Sequence, residues 1–533
     1  MSGTSPPRRW LRDARRALAR LPTLRISRIP DAPALPVRDP WPGDPARGAR
    51  LLKGELELGG AMRILKPGAW NDSSGSAVLR TAAHNFSWLR DLRALGTDAA
   101  RLRARALVSE WINAPPPDPV AYRPDVVGAR VAAWLGHYDF FAATADDVFR
   151  QRLMARLVSD ARGLSAALPA EELDARALTA LKGLIAAAVA LPEHAGFLTR
   201  ALRFLPQEIG RQVLSDGCHV ERSPAAQLAA LQDLTEIRAL LQAGQTQPPP
   251  ALTNAIERMA PALRVLRHGD GGLALFNGSK EETPPLIDLV LTQAGRGGRG
   301  PSSLTEGGFQ RLQAGRSVLL VDCGAPPPPG VDRYAHAGTL SMELSIGRDR
   351  LIVNCGAFPA GPPEWRDAAR ATAAHSTLVI ADLSSSELKP DGLGRRPVVV
   401  EAQRQEANGA HWLEASHDGW KQVFGAVHRR RLYMAESGDD IRGEDAVEAA
   451  TPQPFTVRFH LHPDVNASVQ QDGEAVLLRL RTGGWRLRAD GARITLEESI
   501  YLGGLEPRRS EQVVLTGYAD GPQQVKWAIS KVG

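Results

Sequence analysis

Cysteine is nearly absent: Cys218, Cys323 and Cys355 are the three in 533 residues. An odd number cannot pair completely, and no C-x-x-C spacing occurs, which argues against a disulfide framework and a zinc ribbon. Such sparing use suits a reducing compartment. No apolar run reaches the roughly 18 residues of a membrane-spanning helix. The N-terminus carries charge but no apolar core of a secretory signal, so a cytoplasmic location is expected. Phosphate loops are lacking too. Gly269-Asp270-Gly271-Gly272 precedes a strand-like run rather than a helix, which marks it as a turn. No nucleotide or nucleic-acid motif stands out. Aromatics make up 5% of the chain, yet 11 of them are Trp.

Overall charge is also less than it looks. Residues 1–30 hold eight Arg against Asp13 alone, which accounts for the whole surplus of +6. Trp10, Ala14, Leu18 and Leu21 would share one face of a helix there. This basic, amphipathic pattern suits peripheral contact with an anionic membrane, or a solvated helix that packs on its own domain.

The remaining chain changes period part-way along. From about residue 77, apolar residues recur at intervals of three and four, as in DAARLRARALVSEWI and DDVFRQRLMARLVSDARGLSAAL. About eight helices follow at a spacing of roughly 20–25 residues, without a repeated consensus, as in an α/α toroid. Pro124-Asp125 and Ser223-Pro224 mark helix starts. After His268 the period becomes two. SVLLVDCG, RLIVNCG, STLVIAD and TVRFHLHP read as short strands separated by Gly, Pro, Asn and Asp, and GGLALFNG is read with them. No helix of length is expected among them, so the sheets should be antiparallel and packed as a sandwich. The division expected is a basic tail with a mixed extension (1–76), a toroid (77–270) and a β-sandwich (271–533).

SDGCHVERSP (215–224), HGDGGLALFNGS (268–279), GGFQRLQAGRSVLLVDCG (307–324), AHAGTLSMELSIGRDRLIVNCG (335–356) and AAHSTLVIAD (373–382), in this order, resemble the heparinase II/III-like family. SHDGW (416–420) and GAVHRRRLY (425–433) are similar to it as well. The resemblance runs from about residue 80 to about 520. It implies an α/α toroid plus a β-sandwich, an acidic polysaccharide as partner, β-elimination as reaction, and a periplasmic location as an alternative.

β-Elimination on a uronic acid needs a neutralised carboxylate, a base for the acidic C–H and an acid for the leaving oxygen. The resemblance places such groups at three positions where this chain differs. Ala226-Gln227 stand where a Tyr-His pair is expected, Tyr334 stands for a His, and Leu173-Asp174-Ala175-Arg176 lacks the expected Asn. The groups left are Tyr334 as acid or base, His219 as reserve base, and Arg222 as carboxylate neutraliser with Glu221 beside it. These are expected to meet between the toroid and the sandwich. Against this, Glu221 and Arg222 would form an ion pair at a helix start, and His219 would be a loop residue.

His336, Asn354 and His375 align with a His-Asp-His set that holds a structural zinc in some members. An amide at the carboxylate position weakens such a site, and a simple hairpin about Gly347 sets Asn354 opposite Glu343. His375 therefore reads as a buried structural histidine, hydrogen-bonded or weakly zinc-binding, and no cofactor is required. His460 and His462 form a pair without a third ligand. His417 and His428 read as strand-end contacts, and Arg429–Arg431 as a solvated edge. Three functions compete. The first, and the one expected, is a lyase acting by β-elimination on a uronic-acid polysaccharide. The second is a non-catalytic glycan-binding or envelope-polysaccharide assembly protein that keeps the fold. The third is a hydrolase using two of Asp174, Asp216 and Glu221.

Overall fold

The computed structural model describes residues 29–532 apart from 172, 193–195, 296–299 and 471–472. The helix expected in the basic tail, whether it packs on its own domain or meets a membrane, lies outside the described residues. The chain forms two compact units, one of Met1–Gln212 with Ala229–Ile256, the other of Val213–Leu228 with Glu257–Gly533.

The first unit is helical. Its main helices are Asp98–Asn113, Pro124–Gly136, Asp147–Ala167, Arg176–Ala190 and Gly196–Gln212. Their starts follow from local chemistry. Asp146 Oδ1 accepts the Phe149 amide at 2.8 Å, and Thr97 accepts that of Ala100 at 3.2 Å, each satisfying an otherwise orphaned N–H. Pro124 opens its helix at a position where no N–H is needed. Helices Pro124–Gly136 and Arg176–Ala190 cross at Gly128 and Gly183. A Cβ on Gly183 would lie 2.3 Å from the Gly128 Cα, so only glycine permits this approach. Several Trp residues are gathered here. Trp111 and Trp134 meet edge to face at 5.5 Å, and the buried Arg130 guanidinium sits 4.2 Å from the Trp111 ring centre while pairing with Asp160. Among the described residues no helix is long and apolar enough to cross a membrane.

The second unit is an antiparallel sandwich. One sheet runs, in spatial order, Val400–Ala407, Ala410–Trp420, Ala426–Met434, Asp440–Glu448, Gln523–Lys531, Gly483–Asp490, Ala475–Leu480 and Asn466–Gln470. The other runs Arg493–Tyr501, Arg508–Ala519, Gln453–Leu461, Asp349–Val353, Met342–Ile346, Ser317–Asp322, Phe309–Ala314 and Ser303–Leu304, with Leu378–Ile380 also paired to Gln453–Leu461. Strands of the first sheet alternate buried and exposed residues, as in Ala426–Met434. Strands Ser317–Asp322, Met342–Ile346 and Asp349–Val353 are buried throughout. Leu319 and Val321 face the inter-sheet core, while Val318 and Leu320 pack with Cys218, Val265, Leu266 and Phe276. A sheet covered on both faces reads as continuous apolar sequence.

Two expectations fail here. Pro284–Ala294 is a helix inside the β half, with paired prolines in its first turn and Ile287, Val290, Leu291 and Ala294 buried at helical spacing. Pro363–Arg370 is another. The run GGLALFNG forms no strand. It makes only an isolated bridge, Leu273 to Arg267, because Asn277 and Gly278 turn the backbone into the left-handed region.

Candidate functional site

The turn Phe276-Asn277-Gly278-Ser279 joins the two segments that carry most of the expected groups. Asn277 adopts φ +45°, which its short amide tolerates. Its Nδ2 donates to the Arg222 carbonyl at 2.9 Å and its Oδ1 accepts the His336 amide at 3.1 Å. Ser279 Oγ lies 3.1 Å from Ser223 Oγ and accepts the Ala225 amide at 2.9 Å. At Gly278, φ +79°, a Cβ would come within 3.2 Å of the Tyr334 carbonyl oxygen. His219, Glu221, Arg222 and Tyr334 thus all belong to the second unit. They do not divide between a toroid and a sandwich, because Val213–Leu228 folds with the β half. Sequence reasoning passed over Asn277, although an Asn-Gly pair in a loop is a turn signal with a defined conformation.

Arg222 is not placed to meet a substrate carboxylate. The residue is buried at φ +50°. Its Nε donates to the Gly307 carbonyl at 2.7 Å, Nη1 to the Ala325 carbonyl at 2.7 Å, and Nη2 to Asp322 Oδ1. The Phe309 ring lies under the guanidinium, 4.9 Å from its centre. The expected ion pair with Glu221 is likewise replaced, since Asp322 is the partner. A fork held on all three nitrogens positions a loop rather than a ligand.

His219 is not a loose loop residue. It is fully buried, bridges to Val213, donates its amide to Gln227 Oε1 at 2.6 Å and accepts the Glu221 amide at Nδ1 at 3.3 Å. The Glu221 carboxylate lies 3.7 Å from that same nitrogen. Gln227, where the resemblance implies His, also donates to the carbonyls of Gly217 and Met259 and so closes the turn. Of the expected acting groups, Tyr334 and Glu221 are half-buried while His219 and Arg222 are buried, and the Arg333 guanidinium lies 5.7 Å from the Tyr334 ring centre. Two of the three carboxylates of the hydrolase reading are structural. Asp174 pairs with Arg176 at 2.7 Å in the first unit, and Asp216 accepts the amides of Cys218, Glu306 and Gly307.

His336 and His375 meet. His336 Nδ1 and His375 Nε2 are 3.0 Å apart, and His375 Nδ1 donates to the Ala371 carbonyl at 2.8 Å. His375 Nε2 is then an acceptor and His336 Nδ1 the donor, so the two rings satisfy each other. Burial drives the His375 pKa down to about 4, and burial, then the neighbouring His375 and Arg370, hold His336 well below its ordinary value. Asn354 is engaged elsewhere. The hairpin register is shifted from the simple one, Leu344 lying opposite Ile352, yet Asn354 Nδ2 still donates to Glu343 Oε1 at 3.0 Å, and its Oδ1 accepts the Ser376 amide. Among the described residues no group of three His, Cys, Asp or Glu is arranged to hold a metal. These residues do not fit a closed zinc set.

Three further readings are corrected. His417 and His428 are not strand-end contacts but members of a buried network: they lie 3.4 Å apart, and His428 Nε2 donates to Asp445 at 2.8 Å. Arg430 is buried on that same carboxylate, whereas Arg429 and Arg431 point outward. His460 and His462 diverge, the first to Ser499 and the Ala373 carbonyl, the second toward Glu281. Glu343, which sequence reasoning noted only as a register partner, is a hub that also accepts from His268 Nε2 at 2.8 Å and the Leu275 amide at 3.1 Å.

Sequence profiles of the heparinase II/III N-terminus and of the heparinase II/III-like C-terminal region match residues 106–294 and 296–528. The chain belongs to the heparinase II/III-like family. This family member is 32% identical to FtsZ-localized protein C of Caulobacter vibrioides over 524 residues, covering 92% of this chain and 89% of the relative. Its fold is that of heparinase III, with a TM-score of 0.76 at 14% identity over 98% of this chain and 89% of the other. Heparan sulfate lyase HepC from Pedobacter heparinus aligns with a TM-score of 0.58 at 18% identity, over 98% of this chain and 87% of the other. The α/α toroid followed by an antiparallel β-sandwich is therefore shared with polysaccharide lyases.

Proposed function

We propose that this heparinase II/III-like protein is a non-catalytic glycan-binding protein of the bacterial cell envelope, which keeps a lyase fold and works in envelope assembly at the division site. The observation that carries this reading is Arg222. Its whole guanidinium is spent on Asp322, Gly307 and Ala325, so it cannot neutralise a uronate carboxylate. His219 is buried and His336 Nδ1 is bonded to His375, so among the described residues none of the expected groups pairs a neutraliser with a base beside Tyr334. Likeness to polysaccharide lyases supports an acidic glycan as partner, and likeness to a protein localized with FtsZ supports a role in division. Purified protein should bind acidic polysaccharides in a titration and release no unsaturated, UV-absorbing product from them.

A second reading, β-elimination on a uronic-acid polysaccharide, is favoured by one feature. Tyr334 is half-buried, and His336 Nε2 faces Gly278 beside it, where a Cβ would come within 3.9 Å. Accumulation of the unsaturated product would replace the first reading with this one. Tyr334→Phe should then cut turnover by roughly 100-fold, the ordinary weight of a general acid or base.

A further inference from the structure

The outer face of the sheet that begins with Val400–Ala407 carries a feature no lyase chemistry explains. Cross-strand register puts Trp412 beside Tyr433, Tyr433 beside Arg442, Arg442 beside Ala528, and Ala528 beside Arg488. These residues form one row across five strands. Four inter-strand steps of about 4.8 Å give it a length of roughly 19 Å. The next row on the same face reads Glu414, Arg431, Glu444, Lys526 and Asp490. That row alternates in sign and pairs internally, Arg431 with both Glu414 and Glu444. The first row holds no acid at all.

Its composition is specific. Trp412 is 41% exposed although it lies on an interior strand, and it packs against Tyr433 with ring centres 5.2 Å apart. The Arg442 guanidinium extends the platform, 5.8 Å from the Tyr433 ring centre. Its Nε and Nη2 pair with Asp440 Oδ2, so unlike Arg222 it is exposed and keeps Nη1 unbonded among the described residues. Ala528 leaves a low floor, and beyond it Arg488 is exposed and makes no ion pair among the described residues. A groove of about 560 Å³ lies over this row and the neighbouring one, so that Arg431, Lys526, Glu444 and Asp490 line it as well. At Arg488 and Ala489 it meets a second groove, of about 900 Å³, that continues to Arg493 and Ile494.

We infer that this face is a binding site for a linear acidic polysaccharide, the sugar rings lying on Trp412 and Tyr433 and the carboxylates on Arg442 and Arg488. The inference rests on the proposed glycan-binding function and names where it resides. Flat aromatic faces receive the C–H faces of a sugar ring, and planar guanidinium groups receive carboxylates as forks. The continuing groove suits a chain rather than a single sugar. An extended peptide fits less well, because each strand under the row is hydrogen-bonded on both sides or lies one strand in, which leaves no edge for backbone pairing.

The test uses the full chain and Trp fluorescence or calorimetry, with three probes: a short oligouronate, a neutral oligosaccharide of equal length, and a poly-glutamate peptide. The oligouronate should bind, more weakly as salt rises, and the other two should bind at least tenfold more weakly. Trp412→Ala and Arg488→Ala should each weaken oligouronate binding by roughly tenfold or more, the ordinary weight of a lost contact to a charged group. Both side chains are exposed, and circular dichroism should show an unchanged fold. Lys389→Ala, an exposed cation elsewhere in this unit, should change nothing. Oligouronate binding that survives both row substitutions would overturn this site and leave the proposed function standing. No binding by the wild-type chain would overturn both. Equal affinity for poly-glutamate would show charge attraction alone and overturn the assignment to a glycan.

Discussion

Arg222 shows how one side chain can change what a fold does. Read from sequence, an arginine next to a helix start in a lyase-like segment is a carboxylate clamp. Buried at positive φ with Asp322, it is a structural pin. Removing one partner of a buried, hydrogen-bonded pair leaves an uncompensated charge, so Arg222→Ala should cost about 3–5 kcal/mol of stability. Arg222→Lys should recover only part, since a single ammonium cannot reach three acceptors in a plane. Chemical denaturation reads both, and a loss of under about 1 kcal/mol for the alanine variant would mean that the pin is not holding the segment. His375 gives a second prediction at this scale. Its folded pKa, about 4, lies below the ordinary 6.5, so between those values the unfolded chain binds more protons. Its contribution is complete above pH 6.5 and is lost as pH falls toward 4, a difference of roughly 3 kcal/mol. The fall in Tm over that window should be shallower in His375→Gln than in wild type. Parallel curves would remove His375 as its source.

At the level of elements, the period of the sequence carried most of the architecture. Asp98–Asn113 and Asp147–Ala167 show apolar spacing of three and four, and Ala426–Met434 shows spacing of two, because each buries one side. Misreadings fell where a short run could serve either pattern, as in Pro284–Ala294, or where turn chemistry overrode apolar content, as at Asn277-Gly278. Arg429–Arg431 failed for a related reason. In a strand with one face buried, the middle of any three consecutive residues points opposite to its neighbours, so an Arg-Arg-Arg run cannot be wholly solvated. The candidate site was less legible than the fold. His336 and His375 are 39 residues apart and Arg222 and Asp322 are 100 apart, and local spacing holds no record of such meetings. Nor does local spacing reveal the helix crossing at Gly128 and Gly183. Gly183→Ala puts a methyl group against backbone that cannot step aside, and should destabilise the protein by more than the roughly 1–3 kcal/mol of ordinary overpacking. Denaturant midpoints would settle this, and a neutral or stabilising result would mean that the crossing can open.

For the whole molecule the question is what holds the β half together. A structural zinc supplies folding energy outright, and its removal unfolds or strongly weakens the domain that depends on it. The sandwich has a continuous apolar core instead, in which Trp527 meets Phe459 edge to face at 4.9 Å from the opposite sheet. The region where zinc would sit is tied by hydrogen bonds: His336 to His375, His375 to the Ala371 carbonyl, and Asn354 to both Glu343 and Ser376. Glu343 then binds His268 and the Leu275 amide, which extends the network to the turn after the helix Pro250–Val265. Zinc binding would have to break the His336–His375 bond and recruit an amide already in use. Dialysed protein should therefore hold substoichiometric zinc by elemental analysis. Treatment with a chelator should leave Tm within about 1 °C, less than the roughly 2 °C that a loss of about 1 kcal/mol produces in a large domain. Glu343→Gln should lower it far more, because the amide cannot accept at both oxygens from donors that are all fixed. Stoichiometric zinc that survives dialysis, together with a chelator-induced fall in Tm reversed by added zinc, would show that metal holds this corner of the sandwich in place of the hydrogen-bond network.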